Sequence, residues 1–349
     1  MNCRMSEASI NDSPPDVESE TEQDPYTTEH FVSYRIVYPL IIAIGVVNNV
    51  ICIIILLKPK MRIILANRYF LIQAVADLLV CVMSIPIAIS SNGCFIDSYS
   101  TAIYYGYFGW SVLEILQPLS FYTLLFLAFD RFLAVWNVQY FRNHKKDKIL
   151  MYRMAILLTI DILLHIFFFI NVKISCLDEN ENPPCKPHQY VIQDAVRLNS
   201  TEIWHPVFFH FHEFLVRWLP GFSLIVFNIG LIIAIGRGKL NNSDVSNSDS
   251  KKMELSLTLT LIAMIFSTII FIFPQAVYMT QFGELHPGKC YGDYELFRAT
   301  TNVLQLLEHI TLIVFLTMLN PNFRKELRNW IRKSFPCIGH PSNQVDIND

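Results

Sequence analysis

Residues 119–140 read LSFYTLLFLAFDRFLAVWNVQY, and this stretch decides the fold. It opens as continuous apolar sequence, meets the acid–base pair Asp130-Arg131, and resumes with Phe132-Leu133-Ala134-Val135-Trp136. Upstream, residues 104–129 hold a single formally charged side chain, Glu114. A helix needs about 20 apolar residues to cross a bilayer. The pair therefore marks the place where a membrane helix leaves lipid.

Composition extends the reading to the whole chain. Of 349 residues, 52% are hydrophobic and 16% charged, too apolar a balance for a soluble domain of this size. Seven segments qualify as spans: 36–57, 69–89, 104–129, 154–172, 206–235, 255–282 and 300–319. Pro220 and Pro274 fall inside the fifth and sixth. Prolines are tolerated there because neighbouring groups satisfy the freed carbonyls. The expected fold is an all-α membrane protein, a seven-helix bundle.

Charge orients it. Lys58, Lys60, Arg62 and Arg68 follow span one, and Arg131, Arg142, Lys145, Lys146, Lys148 and Arg153 follow span three. Arg237, Lys239, Lys251 and Lys252 follow span five, and Arg324, Lys325, Arg328, Arg332 and Lys333 follow span seven. The positive-inside rule makes that side cytoplasmic and puts the N-terminus outside. Residues 1–33 read as a disordered extracellular segment, 34–320 as the membrane domain, and 335–349 as a cytoplasmic tail. No apolar stretch follows Met1, so span one is expected to act as the insertion signal. Residues 321–334 alternate apolar Phe323, Leu327, Trp330 and Ile331 with basic residues at helical spacing, as an amphipathic helix in the interface does. Asn11 and Asn199 head glycosylation signals on the outer side. Cys337 suits palmitoylation, and Cys3, Cys94, Cys176, Cys185 and Cys290 lie where disulfides persist.

Ionisable groups inside lipid are costly and invite a functional reading. Counting from the cytoplasmic helix ends puts Asn49 and Asp77 about 14 Å deep, Ser120 about 15 Å, and His309 and Glu308 about 16 and 18 Å. Five polar residues from four helices thus share one layer.

Several motifs carry a resemblance. Ser120-x(6)-Leu127-Ala128-x-Asp130-Arg131-Phe132-Leu133-Ala134-Val135 resembles the third-helix end of rhodopsin-like G-protein-coupled receptors, whose usual form is Asp-Arg-Tyr. Leu71-Ile72-Gln73-Ala74-Val75-Ala76-Asp77-Leu78-Leu79 resembles the second-helix signature, and Asn49 the first-helix Asn. In span seven, Leu312-Ile313-Val314-Phe315-Leu316 replaces the family's Asn-Pro-x-x-Tyr. The resemblance implies coupling of Asp130, Arg131 and Asn228 to a heterotrimeric G-protein, with Arg131 held through Asp130 at rest. It implies a sodium ion at Asp77 and Ser120. It also implies a disulfide from Cys94 to Cys185 or Cys176, because the top of span three lacks the usual Cys.

Span seven has no Lys, which excludes a retinal Schiff base, and Leu113 stands at the usual amine-binding depth. Tyr190-Val191-x(5)-Arg197-x-Asn199, followed by Leu219-Pro220-x(7)-Asn228, resembles the invertebrate FMRFamide-type neuropeptide receptors. That implies an extracellular peptide carrying Arg and an amidated Phe. Glu114, with Trp110 and Gln117 on the same helix face, supplies an acid for the cation. Trp218, Tyr278, Gln281 and Gln305 are expected to line the rest of the pocket. The seventh-helix departures also suit a nematode chemosensory serpentine receptor for a small molecule. A transporter is the other class; it predicts internal repeats, and the two halves show none. Asp161 and His165 stand i, i+4 in span four, and His205, His210 and His212 cluster near the outer end of span five. No phosphate loop or nucleophile motif points to an enzyme, and nothing points to nucleic acid.

Overall fold

Long apolar runs with few breakers give long helices, and the helices dominate. The computed structural model describes residues 32–90, 98–136, 146–170, 172–176, 185, 190–194, 204–237, 248–282 and 292–334. Helices α1 (Val32–Leu56), α2 (Leu65–Ser90), α3 (Tyr99–Trp136), α4 (Lys146–Ile170), α5 (204–236) and α6 (Ser248–Phe282) run in chain order. A β-hairpin, β1 (Val172–Cys176) and β2 (Tyr190–Asp194), lies between α4 and α5. Then come α7 (Gly292–Glu308), α8 (Leu312–Leu319) and α9 (Pro321–Ser334). Among the described residues, six helices are long and apolar enough to cross a membrane, and α7 with α8, taken together, makes a seventh, bent span. Asn11, Cys94 and Asn199 lie outside the described residues.

The helices form a ring in which α1 packs on α2 and α7, and α5 on α6. Helix α3 threads the middle and touches α2, α4, α5 and α6. Small residues set the closest approaches, as in many membrane bundles. A Cβ on Gly45 would come within 2.6 Å of Cys81 Sγ and 2.8 Å of an Ile310 methyl. One on Gly230 would stand 2.5 Å from the Phe132 ring.

Span seven is not the straight helix expected over 300–319. It breaks at His309-Ile310, and its halves are bent by 43°. No proline causes this. A break leaves carbonyls without their helical donors, and Asn49 Nδ2 donates to the His309 carbonyl at 2.9 Å. The Thr311 hydroxyl donates to the Glu308 carbonyl at 2.8 Å. Helix α9 then starts cleanly. The Asn320 side chain accepts from the Phe323 N–H at 3.1 Å, and Pro321 occupies the first helical position. Phe323 is fully buried, and Lys58 donates to Glu326 Oε2 at 2.9 Å. That hydrogen bond holds the Glu326 carboxyl below its ordinary pKa. Its small contribution is therefore present at neutral pH and fades as acid protonates Glu326.

Helix α5 carries a wide π turn at Phe214–Trp218. There the Leu219 N–H reaches back five residues to the Phe214 carbonyl. The next carbonyl, of Leu215, would need an N–H from Pro220, which has none. The Tyr122 hydroxyl donates to it instead, at 2.7 Å.

The hairpin pairs Val172 with Asp194 through to Cys176 with Tyr190. Cys176 is disulfide-bonded to Cys185, across a Cα–Cα distance of 5.5 Å. This corrects the pairing with Cys94, since both candidate partners are joined to each other. Two cysteines nine residues apart on one hairpin meet without help from the bundle. The hairpin rests on Ala102 at the start of α3, and the Tyr99 ring packs at a tilt against Tyr190.

Gly45→Ala is expected to destabilise the bundle by about 1–3 kcal/mol, because Cys81 and Ile310 must both retreat. Thermal unfolding of the purified protein in nanodiscs checks this. An unchanged Tm would mean that α1 can part from α2 and α7 at no cost.

Candidate functional site

Among the described residues, three polar clusters sit at three levels of the bundle. The first divides its core. One apolar cluster runs from Cys52, Ala74, Phe121 and Leu312 toward the end bearing Arg131, the basic end. A second surrounds Tyr38, Ile42, Val80, Leu113 and Leu306 toward the hairpin. Between them lie Asn49, Asp77, Ser120, Glu308 and His309, all buried. The structure thus brings together all five residues that depth counting placed in one layer.

Asp77 is the hub. Its Oδ1 accepts from Ser120 Oγ at 2.7 Å and stands 2.7 Å from His309 Nδ1. His309 Nδ1 also lies 3.2 Å from Glu308 Oε2, and Thr268 donates to Glu308 Oε1 at 3.0 Å. A proton on His309 Nδ1 would lie within reach of an oxygen of each acid. The break in span seven delivers this geometry. Consecutive residues of a regular helix point about 100° apart, and leaving the helix lets Glu308 and His309 face one centre. Thr268 was missed because one Thr among the four of an apolar span, Thr258, Thr260, Thr268 and Thr280, gives no signal.

The second cluster lies toward the hairpin. Arg217 donates from Nη2 to Glu114 Oε2 at 2.8 Å and from Nη1 to both oxygens of Glu213. Arg217 and Glu213 are buried. Glu114 is therefore not an open acid: its oxygen already holds a guanidinium from α5. Neither Glu213 nor Arg217 was singled out from sequence, though an acid–base pair at i, i+4 inside an apolar span was the available signal. Next to it, His212 meets His165 across α4 and α5, with Nε2 atoms 3.2 Å apart.

The other expected ligand contacts are dispersed. Gln305 Nε2 donates to Gln117 Oε1 at 2.7 Å, joining α7 to α3. Trp218 donates to Thr280 at 2.9 Å, joining α5 to α6. Tyr278 is buried against Phe297, and Gln281 is exposed. Trp110 begins the regular α-helical part of α3, after the π turn Tyr104–Gly109.

The third cluster is at the basic end. Asp130 Oδ1 accepts from Arg153 Nη1 at 2.5 Å, and Oδ2 from the Tyr69 hydroxyl at 2.6 Å. Arg131 donates to Glu254 Oε2 on α6 at 2.6 Å. The expectation that Arg131 is held through Asp130 is thus corrected. Neighbouring residues on a helix diverge, so Asp130 joins α3 to α2 and α4 while Arg131 joins α3 to α6. Asn228 is buried on α5 and makes no part of either bridge.

A family model for serpentine type 7TM GPCR chemoreceptors, Srw, matches residues 36–339. The chain belongs to this family. As an Srw-family member it is a G-protein-coupled receptor of the membrane, and the family is not an enzyme class. A Caenorhabditis elegans relative named "Probable G-protein coupled receptor B0563.6" is 22% identical over 325 residues, covering 88% of this chain and 70% of its own. The family match supports the chemosensory alternative better than the FMRFamide-type group.

In this Srw receptor Arg217 stands between the buried acid Glu213 and the half-buried acid Glu114. Arg217→Gln is expected to cost about 3–5 kcal/mol by stranding Glu213. Further replacing Glu213 and Glu114 with Gln should restore most of the loss, as read by thermal unfolding of detergent-purified protein.

Proposed function

We propose that this receptor binds a small external molecule at the hairpin end of the bundle and activates a heterotrimeric G-protein at the basic end. The observation that carries the reading is the Arg131–Glu254 bridge between α3 and α6. A ligand can shift a conformational equilibrium only by binding its two states differently. A single bridge between the central helix and α6, part-exposed at Glu254, is an equilibrium of suitable size. The basic loops favour a cytoplasmic location for this end, and hence an external N-terminus in the plasma membrane.

The ligand is proposed to be small rather than an Arg-bearing amidated peptide. The family supports a chemosensory role. The chemistry agrees, because an incoming guanidinium would have to displace Arg217 from Glu114.

A sodium ion is part of the earlier expectation, and the donor set argues against it. Hard cations take oxygen ligands. Here the His309 N–H lies against both carboxylates. We therefore assign His309 the role of the cation in this layer.

Two measurements follow. Glu254→Gln should raise ligand-independent G-protein activation in a nucleotide-exchange assay, while Arg131→Ala should abolish activation at normal surface level. Undiminished exchange by Arg131→Ala, or a screen in which amidated Arg peptides activate and small molecules do not, would sink the reading. Replacing sodium chloride by choline chloride should leave the native Tm unchanged. It should lower that of His309→Asn, whose two acids then need an ion.

A further inference from the structure

We propose that His165 and His212 bind a transition-metal dication of the zinc class, fastening α4 to α5. The two histidines come from helices far apart in sequence, and their side chains are 1% and 2% exposed. Their rings stand at 86° with centroids 4.7 Å apart, and the two Nε2 atoms face each other at 3.2 Å. Zinc binds imidazole nitrogen at about 2.0–2.1 Å, and a tetrahedral angle then separates two such nitrogens by about 3.4 Å. The observed spacing is within a few tenths of an ångström of that.

The back of the His165 ring is arranged to match. His165 Nδ1 lies 2.8 Å from the Asp161 carbonyl and 3.2 Å from Asp161 Oδ1. A carbonyl only accepts, so Nδ1 carries the proton and Nε2 presents its lone pair. His212 Nδ1 lies 3.4 Å from Glu213 Oε1. A carboxylate behind a histidine is the arrangement that fixes the ring of a metal ligand and strengthens it as a donor.

Charge points the same way. Among the described residues, Asp161, Glu213 and Glu114 lie about the pair, and Arg217 is the cation that pairs with two of them. With neutral histidines the group carries a net charge of about −2, which a low-dielectric interior disfavours. A dication brings it to neutrality.

The test uses full-length receptor in nanodiscs, stripped with chelator and titrated with zinc chloride. Bound metal is read by elemental analysis and stability by Tm. The expected result is one zinc per receptor and a raised Tm. His165→Gln and His212→Gln should each remove both, and Asp161→Asn should weaken binding about 10–100-fold. His210→Gln, a change at an exposed histidine on the same helix, should change nothing. Absence of bound zinc, or a shift that survives both His165→Gln and His212→Gln, would overturn the proposal. Should those variants fail to fold, cobalt loading of the native receptor decides it. Visible ligand-field bands with nitrogen-donor character support the site, and their absence refutes it.

Discussion

The contact between Asp77 and His309 is the constraint on which the bundle depends. A carboxylate at mid-depth has no water to turn to, and each unmet demand there costs several kcal/mol. Ser120 and His309 meet that demand on one oxygen, and Glu308 stands behind the histidine. Bringing His309 to Asp77 takes it out of regular helix. The carbonyl thereby released is taken up by Asn49. The chain of requirements thus links α1, α2, α3 and both halves of span seven.

The same rule operates at the other two levels. Arg217 reconciles Glu213 with Glu114, and Arg153 with Tyr69 satisfies Asp130. Each cluster crosses between helices, so each resists their separation. They differ in exposure. The middle cluster is sealed. Glu254 at the basic end is 45% exposed, where water competes for the charges and the bridge opens most cheaply. A receptor needs its strongest pairings where the fold is held and its weakest where it moves.

The seven spans, the amphipathic helix and the mid-depth layer were legible in the sequence, because each follows from hydropathy or from counting along a helix. Partners were less so. Asp130 and Arg131 announce a bridge, yet only helix geometry sends one to Arg153 and the other to Glu254. Glu114 announces an acid within the bundle, but its partner Arg217 lies 103 residues away on a turn widened by a π segment. The break in span seven has no glycine or proline to betray it, and it is stabilised by Asn49 from 260 residues away. Long-range satisfaction of polar groups is set by how helices lean on one another, and no local pattern encodes that.

Helix α8 is bounded at both ends by asparagine. Asn49 holds the carbonyl before it, and Asn320 closes it and caps the next helix. Eight residues are too few to be a stable helix alone. Its shape is borrowed from its neighbours, among them Ser256 of α6, which donates to the Leu319 carbonyl. Such a segment behaves as a short rigid coupling between two joints. A change of tilt at the mid-depth joint must appear, two turns later, beside the foot of α6.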